Sequence, residues 1–276
     1  MYKIVKKEKL APDIQRFFIA APEVARAAKA GQFVILRLFE GGERFPLTIV
    51  SREAKEGLIE IVSQRVGKST AELALLKTGD LIKDISGPLG QPSEIKRYGR
   101  VLVIGGGVGI APLLPITRAL KEAGNEIMAI LGVRSKEMFF FEDEFKTISR
   151  KIYFTTDDGS LGRKGLVTDV LKMLIDEEEI QRVLAIGPVV MMKAVSNLTK
   201  KVNIPTTVSL NPIMVDGTGM CGACRCLING KSRFACIHGP EFDGHQVDFN
   251  TLLRRQNMFL KEEKTALEGF KKKDSQ

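Results

Sequence analysis

The sequence predicts a multidomain α+β protein: an N-terminal antiparallel β-barrel, then a doubly wound parallel α/β domain, then a small cysteine-bearing segment. Three observations predict it. Up to about Gly90 the chain runs in short apolar stretches separated by turn residues. After Pro92 strand-like and helix-like stretches alternate, and beyond about Val208 that periodicity gives way to a segment rich in Gly and Cys. The length of 276 residues suits two compact cores with an appendage. The expected divisions are residues 1–96, 97–208, 209–248 and a polar, helical terminus over 249–276.

In the first part Phe33–Phe39, Pro46–Ser51 and Gly57–Val66 read as strands, because they are rich in Ile and Val and are bounded by Gly-Gly, Glu-Gly and Thr-Gly-Asp turns. One helix interrupts them, Ser69–Lys77, opened by Ser-Thr and stopped before Thr78-Gly79-Asp80. In the second part Val101–Gly106 reads as a buried strand, Pro112–Gly124 as a helix stopped by Gly, and Ile127–Val133 as a second strand. Lys151–Asp157, Leu166–Ile175 and Val183–Pro188 continue the alternation. The terminus from Phe249 to Lys273 reads as helix.

Composition narrows the class. With 44% hydrophobic and 27% charged residues, collagen-like, disordered and coiled-coil chains are excluded. The most apolar stretch, Val101–Ile116, is broken by four glycines and two prolines, so no spanning helix is expected. The opening MYKIVKKEKL has no apolar core behind its charges and does not read as a signal peptide. A cytoplasmic protein without membrane attachment is the expectation. The net charge is +9, but Lys and Arg are spread along the chain and Trp is absent, which argues against nucleic acid and for an acidic partner surface.

Gly105, Gly106, Gly107 and Gly109 lie at a strand-to-helix junction, where glycines let backbone amides approach a pyrophosphate at a helix N-terminus. The G-x-G-x-x-G spacing fails, since its last position is Ile110, and the second strand runs into Arg134 rather than an acidic residue. A tight turn without a ligand is the alternative. The segment GGGVGIAPL resembles the nucleotide loop of the ferredoxin-NADP reductase superfamily, in which a flavin barrel precedes the nucleotide domain. Arg44, Pro46, Leu47 and Thr48 resemble that family's flavin segment, whose arginine pairs with the flavin pyrophosphate. Gly67, Lys68, Ser69 and Thr70 resemble its diphosphate cradle. Asp157 and Asp158 match a ribose-binding position, with a solvated turn as the alternative, and Gly187-Pro188 matches the family's Cys-Gly-Pro turn with Ile186 in place of the cysteine. The resemblance therefore implies FAD and NAD(H), with NADP(H) kept open by Arg134.

All four cysteines lie within Cys221–Cys236, too local to cross-link a fold of this length. Counted alone they form C-x2-C-x-C-x9-C, which a four-thiolate zinc site could use in a non-redox binding module. Starting from Asp216 the pattern becomes D-x4-C-x2-C-x11-C, close to the C-x4-C-x2-C spacing of plant-type [2Fe–2S] sites. The ligands are then Asp216, Cys221, Cys224 and Cys236, with Cys226 a buried structural thiol; the assignment with Cys226 in place of Asp216 stays open. His238 reads as structural or as a donor beside the cluster.

A flavin barrel, a nucleotide domain and a C-terminal [2Fe–2S] loop in this order resemble the electron-transfer subunit of dihydroorotate dehydrogenase over nearly the whole chain. Asp216, in place of a cysteine, and the extension from Phe242 onward are departures. They resemble a branch that passes electrons to a larger iron–sulfur flavoprotein subunit, where ferredoxin and NADP are handled with electron bifurcation. The resemblance implies an oxidoreductase subunit in which the cofactors, not a general acid or base, carry the chemistry.

Overall fold

The computed structural model describes residues 1–274, with side chains as far as Lys272. Seven strands build the first domain: β1 (Tyr2–Ala11), β2 (Ile14–Ala20), β3 (Phe33–Arg37), β4 (Arg44–Glu53), β5 (Leu58–Gln64), β6 (Leu81–Ile82) and β7 (Asp84–Leu89). All pairs are antiparallel, in the order β6-β1-β2-β5-β4-β3-β7. The two ends of that order, β6 and β7, are separated along the chain only by Lys83, so the sheet curls into a nearly closed barrel. Its interior is lined by Ile4, Phe17, Ile19, Leu36, Ile59 and Ile61, all buried.

The barrel carries two helices rather than the single one expected: α1 (Pro22–Ala27) and α2 (Lys68–Leu75). A six-residue helix is too short to show periodicity in the sequence. It is set by Pro22 in its first turn and by burial of Val24 and Ala25.

The second domain follows as β8 (Arg100–Gly106), α3 (Ile110–Glu122), β9 (Glu126–Val133), α4 (Glu142–Ile148), β10 (Lys151–Thr156), β11 (Arg163–Lys164), α5 (Val167–Glu177), β12 (Arg182–Ile186), α6 (Val189–Lys201) and β13 (Thr206–Ser209). These strands are parallel, in the order β11-β10-β9-β8-β12-β13. From β8 the order runs outward in both directions. The carboxyl edge beside β8 is thus the switch point where such sheets open a crevice.

The last segment holds β14 (Arg225–Ile228), β15 (Lys231–Phe234), α7 (Ala235–His238), β16 (Glu241–Asp243), α8 (Phe249–Gln256) and α9 (Leu260–Asp274). It is not free-standing, since β16 adds antiparallel to β13. The terminal helix expected over Phe249–Lys273 is two helices, interrupted at Asn257–Phe259, where the exposed Met258 and Phe259 have no core to face.

Apolar contacts weld the parts together. Ile14, Val50 and Val62 of the barrel share a core with Ile110, Ala111 and Leu114 of α3. At roughly 1.5–3 kcal/mol for each fully buried aliphatic side chain, these three alone oppose domain separation by several kcal/mol. Phe33 and Ile35 share another core with Cys224, Cys226 and Cys236. Among the described residues no helix is long and apolar enough to cross a membrane.

Candidate functional site

The predicted nucleotide residues gather at the carboxyl edge of the parallel sheet. Gly105 and Gly106 end β8, Arg134 follows β9, Asp157 and Asp158 follow β10, and Gly187-Pro188 follows β12. Within this crevice the glycines do different jobs. A Cβ on Gly109 would run into the backbone of Ile186 and Gly187, so this glycine lets α3 close against the end of β12. Gly107 has φ +56°, and a Cβ there would meet nothing within 4 Å. It is the loop glycine that faces open space, as a backbone approached by a phosphate must.

Asp157 and Asp158 part company. The Asp158 carboxylate accepts from the Ser160 amide at 2.9 Å and from its hydroxyl at 2.6 Å, and these bonds hold its pKa below the usual value. Asp158 thus shapes a turn. Arg134 is exposed at the crevice mouth. A separate cavity of about 210 Å³, lined by Tyr98, Arg182 and Glu241, lies at the opposite, amino end of the sheet and holds none of the predicted residues.

The flavin segment lies on β4, between β3 and β5, with Pro46 opposite Ile35 and Thr48 opposite Phe33. A strand in the middle of a sheet is ordinarily covered, yet Arg44, Phe45, Pro46, Leu47 and Thr48 are all half-buried. Phe45 and Leu47 pack against the barrel core, so the face left open beside α3 is the one that Arg44, Pro46 and Thr48 share. The Arg44 Nε donates to the Val215 carbonyl at 2.9 Å, and its Nη2 lies 3.5 Å from the Asp216 carbonyl. One guanidinium therefore joins the flavin strand to the cysteine loop.

At the start of α2, Lys68 reaches Glu43 at 3.3 Å and the Ser69 hydroxyl donates to the same carboxylate. Two predicted diphosphate donors thus converge on one anion, supplied here by Glu43. Thr70 faces inward instead. Its hydroxyl accepts from the amides of Val66 and Gly67, both at 3.0 Å, and serves as the helix cap.

In the cysteine loop the thiols of Cys224 and Cys236 lie 3.2 Å apart and are buried, whereas Cys221 is exposed. The Asp216 carboxylate accepts from the amides of Thr218 (3.0 Å), Met220 (3.1 Å) and Cys221 (2.9 Å). Partial burial would raise its pKa, but those donors outweigh it and hold it at about 2. Burial, reinforced by the Cys224 contact, pushes the Cys236 thiol up to about 12, so a bound metal is what would draw off that proton. Gly217, at φ +79°, lies directly on Leu89 and Ile35 of the barrel.

Asp216, Cys221 and Cys224 lie along one loop and Cys236 on α7, beyond the β14–β15 hairpin, and the four do not form a finished coordination sphere. Among the described residues no three of His, Cys, Asp and Glu form a group that could hold a metal ion. Cys226 points elsewhere: it is buried, 3.6 Å from the Cys224 carbonyl, and burial raises its thiol to about 12. His238 accepts from the Phe234 amide at 3.1 Å, which gives it a structural role at the end of β15.

One residue escaped the sequence reading. Arg255, on α8, donates from Nη2 to the Ala223 carbonyl at 3.0 Å, between Cys221 and Cys224, while its buried Nε has no hydrogen-bond partner among the described residues. A partly buried cation with one buried, unpaired N–H beside a loop of thiols and a carboxylate suits an anionic cluster. The only sequence signal was the Phe249, Leu252, Leu253 spacing that gives the terminal helix an inward face.

A half-covered strand joined to a switch-point crevice and a cysteine loop defines a redox enzyme subunit of the ferredoxin-NADP reductase type. Residues 103–197 match the oxidoreductase NAD-binding domain, and residues 211–248 match the iron–sulfur cluster binding domain of dihydroorotate dehydrogenase B. The dihydroorotate dehydrogenase B (NAD+) electron transfer subunit homolog of Thermotoga maritima is 51% identical over 270 residues, covering 98% of this chain and 95% of its own. The electron transfer subunit from Fusobacterium nucleatum is 34% identical, covering 87% and 94%. The chain belongs to the family of dihydroorotate dehydrogenase B electron-transfer subunits and their homologues. A solved structure of an NADH-dependent reduced ferredoxin-NADP oxidoreductase, studied for flavin-based electron bifurcation, superposes with a TM-score of 0.93 at 50% identity, covering 98% of each chain. Phthalate dioxygenase reductase, at 20% identity and a TM-score of 0.62, shares the fold.

Proposed function

We propose that this chain is the NAD(H)- and FAD-binding subunit of a cytoplasmic ferredoxin:NADP transhydrogenase, passing single electrons through a [2Fe–2S] cluster to a larger iron–sulfur flavoprotein subunit. The observation that carries the reading is the match over 98% of both chains to the ferredoxin-NADP oxidoreductase structure. FAD, when bound, supplies exchange of a hydride with a nicotinamide and release of electrons one at a time.

The chain's own residues bind and orient. Pro46 and Thr48 present a half-covered face for the flavin ring, with the Leu47 backbone between them and its side chain packed into the barrel, and Arg44 with Lys68 and Ser69 supplies positive charge and donors for its diphosphate. Gly107 opens the α3 N-terminus to the nucleotide pyrophosphate, with Gly105, Gly106, Gly109, Gly187 and Pro188 shaping the crevice wall. Arg134 and Asp157 stand at its mouth for the adenosine end. Asp216, Cys221, Cys224 and Cys236 would hold the iron, and the contact of the Asp216 carboxylate with the Cys221 amide favours that set over one containing Cys226. The exposed Cys221, beside the exposed Met220, faces outward, where an electron acceptor can approach.

A second reading, the electron-transfer subunit of dihydroorotate dehydrogenase itself, is favoured by the match over residues 211–248. Co-purification from the native cell decides between them. An iron–sulfur flavoprotein partner supports the first reading, and a dihydroorotate-oxidising partner overturns it. Purified protein without flavin absorbance and with zinc in place of iron would overturn both.

A further inference from the structure

The cluster loop is clamped from the side by α8. That helix is itself firmly seated. The Asp248 carboxylate caps it by accepting from the Thr251 amide at 3.0 Å and hydroxyl at 2.7 Å, the Asp248 amide donates to the Leu227 carbonyl, and Phe249 and Leu252 are buried. From its last turn Gln256 donates to the Asn211 carbonyl at 2.8 Å and Arg255 to the Ala223 carbonyl at 3.0 Å. The two bonds grip the segment before Asp216 and the turn between Cys221 and Cys224.

Arg255 has no carboxylate within ion-pair distance among the described residues, and its Nε is buried without a partner. A guanidinium stays charged under all ordinary conditions, so half-burying it without a counter-ion is costly. Two ferric ions, two sulfides, three thiolates and one carboxylate sum to a dianion, and one added electron makes a trianion. That anion is the missing counter-charge, and its attraction to a nearby cation grows on reduction. Partial burial of Arg255 lets more of the attraction act through protein than it would from an exposed side chain.

We propose that Arg255 is a positioning residue of the cluster centre that also sets its potential: it holds the Cys221–Cys224 turn through the Ala223 carbonyl and favours the reduced cluster by its charge. The inference rests on the [2Fe–2S] reading above. Arg225 provides the internal control, because its guanidinium also flanks the loop, close to Gly222, but the residue is exposed and its charge is screened by water and salt.

The test is a redox titration of the full-length chain, followed by the electron paramagnetic resonance signal of the reduced cluster, with iron and sulfide content measured in parallel. Arg255→Gln is expected to lower the cluster's electron affinity roughly tenfold or more, about 60 mV for a one-electron couple. Arg255→Lys, which keeps the charge, should stay within about threefold of wild type, and Arg225→Gln should shift it less than Arg255→Gln does. Loss of iron in Arg255→Gln with a normal cluster in Arg255→Lys also supports the proposal. A wild-type potential in Arg255→Gln overturns it, as does loss of iron in Arg255→Lys, which would reduce the side chain to scaffold. Wild-type protein without a [2Fe–2S] signal would instead overturn the functional reading on which the proposal rests.

Discussion

Two loops in this protein are glycine-rich, and they use glycine for different ends. In the nucleotide loop Gly109 is needed because backbone lies where its Cβ would be, and Gly107 alone both takes a positive φ and faces open space. In the cysteine loop Gly217, Gly219 and Gly222 all have positive φ, and the backbone they turn aims the amides of Thr218, Met220 and Cys221 at the Asp216 carboxylate. The nucleotide loop needs a glycine against neighbouring backbone at Gly109; the cysteine loop needs positive φ that converges donors, with Gly217 and Gly219 also packed closely on side chains of Leu89 and Ile237. A run of glycines therefore does not by itself say whether a ligand or a neighbouring backbone required it.

The largest expected effect tests the cysteine loop. Cys221→Ser should lose essentially all cluster iron, whereas Cys226→Ser should retain it by metal analysis; the reverse result would exchange the roles of these thiols. Next comes packing in the nucleotide loop. Gly109→Ala should cost about 3 kcal/mol in urea unfolding, since the clash is with backbone that cannot swing aside. Arg44→Ala links the regions and should weaken FAD binding by roughly 1.5–3 kcal/mol, the range for a hydrogen bond to a charged group. Because Arg44 also holds the Val215 carbonyl, the same variant should lose iron faster to a chelator, and unchanged iron release would separate the flavin strand from the cysteine loop. Smallest is Gly107→Ala, expected to cost only about 1–2 kcal/mol of backbone strain while raising the dissociation constant for NADH. A Gly107→Ala protein that binds NADH normally would place this glycine with the packing group.

Three barrel strands and the α/β alternation were legible because apolar runs bounded by turn residues mark buried strands and helices, whereas β1, β2, β6 and β7 were not read as strands. Pro22–Ala27 escaped, being too short to show a period. The break after Gln256 escaped because the helix that follows it, Leu260–Asp274, is polar and carries no strong apolar stripe whose shift would mark a boundary. Within the site, the spacing from Asp216 to Cys236 marked one short segment as the candidate iron site before any fold was known. Asp157 and Asp158 looked equivalent as neighbours, and only the turn at Ser160 distinguished them.

By itself the sequence determined the order of domains, the strand-to-helix junction at Gly105–Gly109 and the clustering of four candidate iron ligands, since each is a property of residues close together in the chain. The tertiary structure decided what spans long separations: Arg44 meeting Val215 and Asp216, Gly217 resting on Ile35 and Leu89, and Arg255 reaching Ala223. No local pattern encodes those contacts. They exist because the barrel, the sheet and α8 each bury an apolar face, and the packing that results carries their polar groups to the cysteine loop.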